Sequence, residues 1–220
     1  MLVRLITKAL HFVQQLFGGA DRLPRIGRLG FLLAGLALGF GSPHRARAQG
    51  KYMTRAGHLS FFSASIMEDI EARNDKVAAV FDLSTGQVAF SVPVHEFQFK
   101  RTLMQEHFNE NYMESDKFPK ATFTGQLLNA AQVLKQLPGA TQTVEVEGTF
   151  TVHGVTRKTI VTGTLQLRDG QLAVFAYFNL APADYSIDIP LLVREHIAKS
   201  VSVRVNLTCD PVTPALVSQP

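Results

Sequence analysis

The chain has 220 residues, a formal net charge of +4, 46% apolar residues and one cysteine. This composition excludes an intrinsically disordered protein, and the length suits one domain with an extension. The positive charge does not indicate a nucleic-acid partner, because residues 1–48 hold seven of the 22 basic residues but one of the 18 acidic ones, and the remainder carries a net charge of −2. The lone Cys209 excludes an internal disulfide.

The first 48 residues have the pattern of a secretory signal peptide. Arg22, Arg25 and Arg28 precede the apolar run 31–40, FLLAGLALGF, and a small-residue site of the A-x-A type ends at Ala48. The apolar run is well short of the roughly 20 residues that span a bilayer. We expect cleavage after Ala48, and the alternatives are a short buried helix or an uncleaved anchor.

The next stretch predicts strands joined by polar segments. Residues 57–65 form the first predicted strand, and the acidic segment 66–74 is interpreted as a connection or a short helical turn. Two apolar runs, 76–83 and 87–94, flank the short glycine-containing loop 84–86, which predicts a hairpin.

The period changes from two to that of a helix over residues 100–113. We expect a short helix there, lying across the mouth of the sheet. Pro119 ends any helix before it, residues 121–127 predict a strand, and 132–139 is a loop with room for one helical turn.

The most regular pattern lies at 146–165, where apolar and polar residues alternate on either side of His153-Gly154. Glycine supplies the backbone freedom that a tight reversal needs, so the segment predicts an antiparallel hairpin.

Downstream of this hairpin, 171–180 and 201–208 predict two further strands. Between them, 184–189 is a short alternating segment and 191–199 has the spacing of a helical turn. The tail, 210–220, is predicted to be flexible. About eight strands with small helical inserts are typical of an antiparallel sandwich or barrel, and alternation alone does not choose between the two.

The wording of the hairpin carries a family resemblance. Residues 146–158, VEGTFTVHGVTRK, resemble the hairpin of the YceI-like family, V-x-G-x-L-T-hydrophobic-H-G-V-T-K, and 103–123 are similar to the family's segment that ends in Y-P-x-hydrophobic-x-F. The resemblance extends from about Leu59 to Val205. It implies an all-β, lipocalin-like barrel of eight antiparallel strands over residues 49–209, exported to the bacterial periplasm and binding a long isoprenoid chain.

No motif for catalysis is present in the sequence. The chain has no G-x-S-x-G, H-E-x-x-H, P-loop or C-x-x-C pattern, and its histidines after residue 48 lack short metal-type spacing. We therefore expect no enzyme, no metal and no cofactor beyond a bound isoprenoid lipid or quinone. Two alternatives stay open: an enzyme or redox helper that uses His107 and Glu110, and a structural or stress protein with a filled core.

Binding by apolar contact is the remaining interpretation. Bulky phenylalanine and adaptable methionine suit a hydrocarbon tunnel, in which each buried methylene contributes roughly 0.8 kcal/mol. The predicted ligand-binding residues are Phe97, Phe99, Leu103, Met104, Phe108, Met113, Phe123, Phe150, Phe175 and Phe178. The expected function is a non-catalytic carrier or store of a polyisoprenoid, quinone-like chain. Transient membrane contact and a homodimer are compatible with it.

Overall fold

The structure is a computed structural model, which describes residues 50–64, 69–137, 139–189 and 199–212. The predicted signal peptide, most of the predicted turn at 191–199 and the tail beyond residue 212 lie outside the described residues. Within the described part, no helix is both long and apolar enough to cross a membrane.

Nine strands and two short helices make up the described chain. The strands are β1 (Lys51–Ser63), β2 (Ile70–Asp82), β3 (Gln87–Pro93), β4 (Gln98–Phe99), β5 (Lys120–Leu127), β6 (Gln142–Val152), β7 (Val155–Arg168), β8 (Gln171–Leu180) and β9 (Val201–Pro211). The helices are α1 (Thr102–His107), which continues into a π-helical turn at Phe108–Tyr112, and α2 (Ala130–Gln136). Short 3₁₀ turns lie at Val94–Glu96 and Pro182–Tyr185.

The eight long strands close into an antiparallel barrel. Their order is β1-β9-β8-β7-β6-β5-β3-β2, and β1 pairs with β2 to complete the circuit. The two-residue β4 pairs with β2 beyond the 3₁₀ turn at Val94–Glu96 and so continues the wall that β3 begins. The predicted eight-stranded barrel is confirmed, and it is the closure between β1 and β2 that distinguishes it from a sandwich.

The turn between β6 and β7 has the geometry that its two residues favour. Val152 pairs with Val155, and the intervening His153 and Gly154 have φ values of 49° and 74°. Two successive positive φ values are the requirement of a two-residue type I′ hairpin. A Cβ on Gly154 would lie 2.6 Å from the ring of Phe118, so the missing side chain also makes room for that ring.

One segment differs from its prediction, and a second has an alternating pattern without forming a strand. The predicted connection 66–74 is partly strand, because β2 begins at Ile70. Its inward positions are Ala72 and Asn74, one small and one polar, so the segment lacks the apolar alternation by which a strand is recognised. The alternating segment 184–189 contributes no strand; it begins in the 3₁₀ turn Pro182–Tyr185 and reverses at Ser186, whose φ is 55°.

The two ends of the barrel are built differently. At the end that carries α2, Leu83, Val133, Leu137, Leu172 and Cys209 are buried members of the main hydrophobic cluster. β9 also pairs through Pro211 with Tyr52, two residues past the predicted limit of the domain at 209. The end that carries α1 is therefore the place to look for access to the interior.

Candidate functional site

A cavity of about 510 Å³ occupies the interior of the barrel. Inward residues of all eight long strands form its wall, and residues of α1 and the π-helical turn border it at one end. Its volume lies within the range of roughly 300–1,000 Å³ that is usual for sites of small ligands. The alternative of a completely filled core does not agree with this interior.

One row of phenylalanine rings follows the wall from strand to strand. Phe81 on β2 contacts Phe90 on β3 with ring centroids 5.4 Å apart, and Phe90 contacts Phe123 on β5 at 6.0 Å. Phe123 contacts Phe150 on β6 at 4.6 Å, and Phe150 contacts Phe178 on β8 at 5.2 Å. These separations are those of favourable aromatic pairs, so the row is a continuous aromatic surface inside the barrel.

The close approach of Phe123 to β6 depends on a glycine. Gly125 and Gly148 are cross-strand partners, and a Cβ on Gly148 would lie 2.6 Å from the ring of Phe123 and 2.4 Å from the carbonyl oxygen of Thr124. A side chain at this position would displace both the ring and the neighbouring strand. Gly148 thus allows the row of rings to cross from β5 to β6.

A second group of rings lies beneath α1. Phe108, at the junction of α1 and the π-helical turn, has its ring centroid 5.0 Å from that of Phe99, 5.4 Å from Phe97 and 5.7 Å from Phe61. The amide of Met113 donates to the carbonyl of Phe108 at 2.8 Å, the i to i+5 bond of a π turn. Such turns are frequent at functional sites. The helix predicted across the mouth of the sheet is confirmed, and it brings Phe108 and Met113 to the same wall.

Most of the polar side chains that border the cavity lie near this end, while Thr122 and Thr164 border it from β5 and β7. Arg101, His107 and Tyr112, from α1 and its flanks, border it together with Ser63 at the end of β1. Nδ1 of His107 lies 2.9 Å from the side-chain nitrogen of Asn111, and Glu110 is exposed away from the cavity wall. An apolar chain with a polar head would therefore place its head at the α1 end.

The mouth is braced by His153. Its Nε2 lies 3.0 Å from a carboxylate oxygen of Glu114, its Nδ1 lies 3.3 Å from the carbonyl oxygen of Tyr185, and its side chain is 11% exposed. The second of these contacts joins the turn histidine to the backbone of Tyr185. The first ties the β6–β7 turn to the segment that follows the π-helical turn.

All ten predicted ligand-binding residues border the cavity. Two of them stand apart from the rest. Leu103 is 61% exposed on α1, and Phe175 is 41% exposed because its position in β8 faces away from the interior, opposite to Val174 and Phe178. Ligand contact by the ten residues stays a prediction, and the outward orientation of Phe175 makes it the least suitable of them for such contact.

The family model of the YceI-like domain matches residues 47–209, which are most of the chain. The chain belongs to the YceI-like family. No curated protein matches it by sequence.

Solved structures share the fold of this YceI-like domain. A polyisoprenoid-binding domain from Saccharophagus degradans, implicated in plant cell wall breakdown, superposes with a TM-score of 0.64 at 19% identity over 74% of this chain and 99% of its own. BcnA of Burkholderia cenocepacia superposes with a TM-score of 0.59 at 16% identity over 69% of this chain and 95% of its own.

Sequence reasoning missed three rings of the YceI-like cavity: Phe61, Phe81 and Phe90. Each lies at an inward position of a strand and within the range that was predicted for that strand. Phe61 and Phe81 lie in runs with apolar residues on both faces, SFF and VAAVF, so alternation did not show which face was inside; Phe90 lies in the alternating run FSVPV. The spacing of Phe81 and Phe90 on either side of the predicted hairpin loop was the signal in the sequence that could have identified these two rings.

Acid is expected to weaken the brace at the mouth of the YceI-like domain. The hydrogen bond with His153 holds the pKa of Glu114 below its ordinary value of 4.5, with Lys117 assisting. A carboxyl whose pKa is lowered by folding stabilises the protein above its unfolded value, and this contribution is lost as the pH falls through the folded pKa. The stability difference between the wild type and Glu114→Gln should therefore be present near neutral pH and vanish in acid.

Denaturant unfolding from about pH 6 to about pH 3 measures this difference. Glu110→Gln, an exposed substitution in the neighbouring π-helical turn, is the matched control and should show no such pH dependence. A difference between the wild type and Glu114→Gln that grows as the pH falls would contradict the assignment.

Proposed function

We propose that this protein is a periplasmic lipid-binding protein that holds a polyisoprenoid, quinone-like chain in its barrel as a non-catalytic carrier or store. The observation that carries the proposal is the 510 Å³ cavity, whose wall is mostly aromatic and aliphatic, with most of its polar residues at the α1 end. The description of the Saccharophagus degradans domain as polyisoprenoid-binding supports it.

Apolar burial supplies the affinity in this proposal. Each methylene removed from water contributes roughly 0.8 kcal/mol, so the burial of a few isoprene units inside the barrel offsets part of the free-energy cost of immobilising the chain. The two groups of phenylalanine rings offer flat, rigid contact surfaces, and Met104 and Met113 adapt to the branching methyl groups of an isoprenoid. The polar residues at the α1 end suit a quinone head.

Several observations favour binding over catalysis. Among the described residues, no group of three or more histidine, cysteine, aspartate or glutamate side chains is placed to hold a metal ion. His107 and Glu110, the residues of the enzyme alternative, share no hydrogen bond in that part of the chain. Burial raises the pKa of the Cys209 thiol to about 12, which keeps it protonated and unreactive.

The periplasmic location rests on the leader. The basic flank, the apolar run 31–40 and the small-residue site that ends at Ala48 support export. Amino-terminal sequencing of the protein recovered from the periplasm should begin at Gln49, and an intact leader on cytoplasmic protein would contradict the proposal.

Native mass spectrometry tests the binding function directly. We expect the gently extracted protein to carry a bound mass of lipid size, and the delipidated protein to take up an added isoprenoid quinone in a one-to-one complex. A clean apo mass together with no uptake of the quinone would overturn the proposal. Uptake of short fatty acids with equal affinity would show that the cavity binds hydrocarbon without selecting isoprenoids.

A further inference from the structure

The ladder between β7 and β8 covers only part of the two strands. β7 pairs with β6 from Val155 to Leu165, but it pairs with β8 only from Gly163 to Arg168. β8 continues to Leu180 and stays paired with β9 to its end. Between residues 155–162 of β7 and 177–180 of β8, two segments that the structure describes in full, no ladder pair joins the strands. We refer to this space as the β7–β8 gap.

The gap is framed at both ends. The pair Gly163–Ala176 is the last of the ladder on one side. On the other side, Nε of Arg157 donates to the carbonyl oxygen of Asp184 at 2.6 Å, and His153 contacts the carbonyl oxygen of Tyr185. These contacts tie the β6–β7 hairpin to the 3₁₀ turn that follows β8. The gap is thus a bounded window, distinct from a frayed strand end.

Large apolar side chains flank the window on both of its surfaces, beside the polar Thr159, Thr162 and Asn179. On the outer surface, Ile160 on β7 is 60% exposed and Tyr177 on β8 is 52% exposed, an unusual exposure for two large apolar side chains on facing strands. On the inner side, Val161 and Phe178 border the cavity. Phe178 is also the last ring of the row that begins at Phe81, so the aromatic surface of the interior ends at this window.

The geometry points to the β7–β8 gap as a side passage by which an isoprenoid chain enters and leaves the barrel. This inference rests on the proposed lipid-binding function and concerns its route. At the α1 end, three phenylalanine rings are packed around Phe108, and the four rings would have to separate for a chain to pass. At the gap no ladder hydrogen bond has to break, and a hydrocarbon would meet Ile160 and Tyr177 on the outside and Val161 and Phe178 on the inside.

A passage residue and a binding residue have different kinetic effects. A barrier in the passage slows association and dissociation by the same factor and leaves Kd unchanged, whereas loss of a binding contact acts mainly on dissociation.

Ile160→Lys and Tyr177→Glu place charges in the window. Each has a cross-strand partner of opposite charge, Glu147 and Arg204 respectively, and both positions are more than half exposed, so the fold is retained.

The experiment follows the transfer of a short isoprenoid quinone between the protein and phosphatidylcholine vesicles by stopped-flow quenching of a vesicle-bound fluorophore. We expect the double variant to slow uptake and release together by about tenfold, with each single variant intermediate and Kd unchanged. Phe62→Lys is the matched control. It also replaces an exposed apolar residue with lysine opposite a glutamate, Glu71, but on a part of β1 that is paired on both sides.

The possible outcomes separate the two proposals. Unchanged rates in the window variants, or equal slowing in Phe62→Lys, would overturn the side passage while the wild type still binds quinone. If the double variant does not fold, the single variants decide by the same rates. Absence of quinone binding by the wild type would overturn the lipid-binding function and the passage with it.

Discussion

Ala121→Trp is expected to reduce the affinity for an isoprenoid quinone by at least about tenfold without loss of stability. Ala121 lies on β5, pairs with Val92 and borders the cavity, so an indole ring at this position enters space that the ligand would fill. Displacing about two methylenes costs roughly 1.6 kcal/mol, which is slightly more than a factor of ten. Overpacking is costly in a filled core, but here an empty volume receives the ring.

Because the chain has no other tryptophan, the same substitution reports where the new ring lies. Blue-shifted emission from Ala121→Trp would place it in the dry interior. Thr124→Trp, at an exposed outer position of the same strand, is the control and should emit like solvated tryptophan and bind quinone normally. Undiminished binding by a blue-shifted Ala121→Trp variant would mean that the ligand does not occupy the cavity.

Asn74→Asp is expected to destabilise the barrel by about 3 kcal/mol or more at neutral pH. Asn74 is 0% exposed; its amide nitrogen donates to the carbonyl oxygen of Pro93 at 2.7 Å, and its oxygen accepts from the amide of Lys76 at 2.9 Å. An aspartate keeps the oxygen that accepts from the amide of Lys76, but it places a carboxylate oxygen next to the carbonyl oxygen of Pro93. The substitution therefore buries an uncompensated charge at the point where β3 gives way to its 3₁₀ turn.

The penalty should shrink in acid, because a protonated carboxyl regains a donor for Pro93. The folded variant then binds a proton more tightly than the unfolded chain, and its stability relative to the wild type rises as the pH falls. Urea unfolding at several pH values measures this. Asn179→Asp is the control: its exposed side chain accepts from Ser202, so we expect a change within about 0.5 kcal/mol. If Asn74→Asp were as stable as the wild type at neutral pH, the hydrogen bonds of the Asn74 side chain to Pro93 and Lys76 would not have the stabilising role assigned to them.

The same residue shows why part of the fold was not predictable. A strand is recognised by apolar side chains at alternate positions, and β2 begins with Ala72 and Asn74 on its inner face. Asn74 is tolerated there because Pro93, 19 residues away, accepts its hydrogen bond. Nothing near Asn74 in the sequence announces that partner, so the segment resembled a polar connection.

The hairpins could be predicted because their causes are local. His153-Gly154 and Asp169-Gly170 both have positive φ at two successive residues, and glycine adopts that conformation at little cost. The alternation on either side then sets the register. For the candidate site, the choice of phenylalanine and methionine was informative, since all ten predicted residues border the cavity, but the outward orientation of Phe175 followed from the inner face of β8, which its own pattern did not distinguish.

Antiparallel strands, the turns between them and the family could all be inferred from the chain alone, since these depend on neighbouring residues and on a short, distinctive motif. Three features became known only from the folded molecule: β1 pairs with β2, the enclosed space is hollow, and the β7–β8 ladder ends at Gly163. Closure and empty volume depend on how side chains from distant strands fill a shared interior. Pairing and packing between residues that are far apart in the sequence produce no periodic pattern of apolar residues in it.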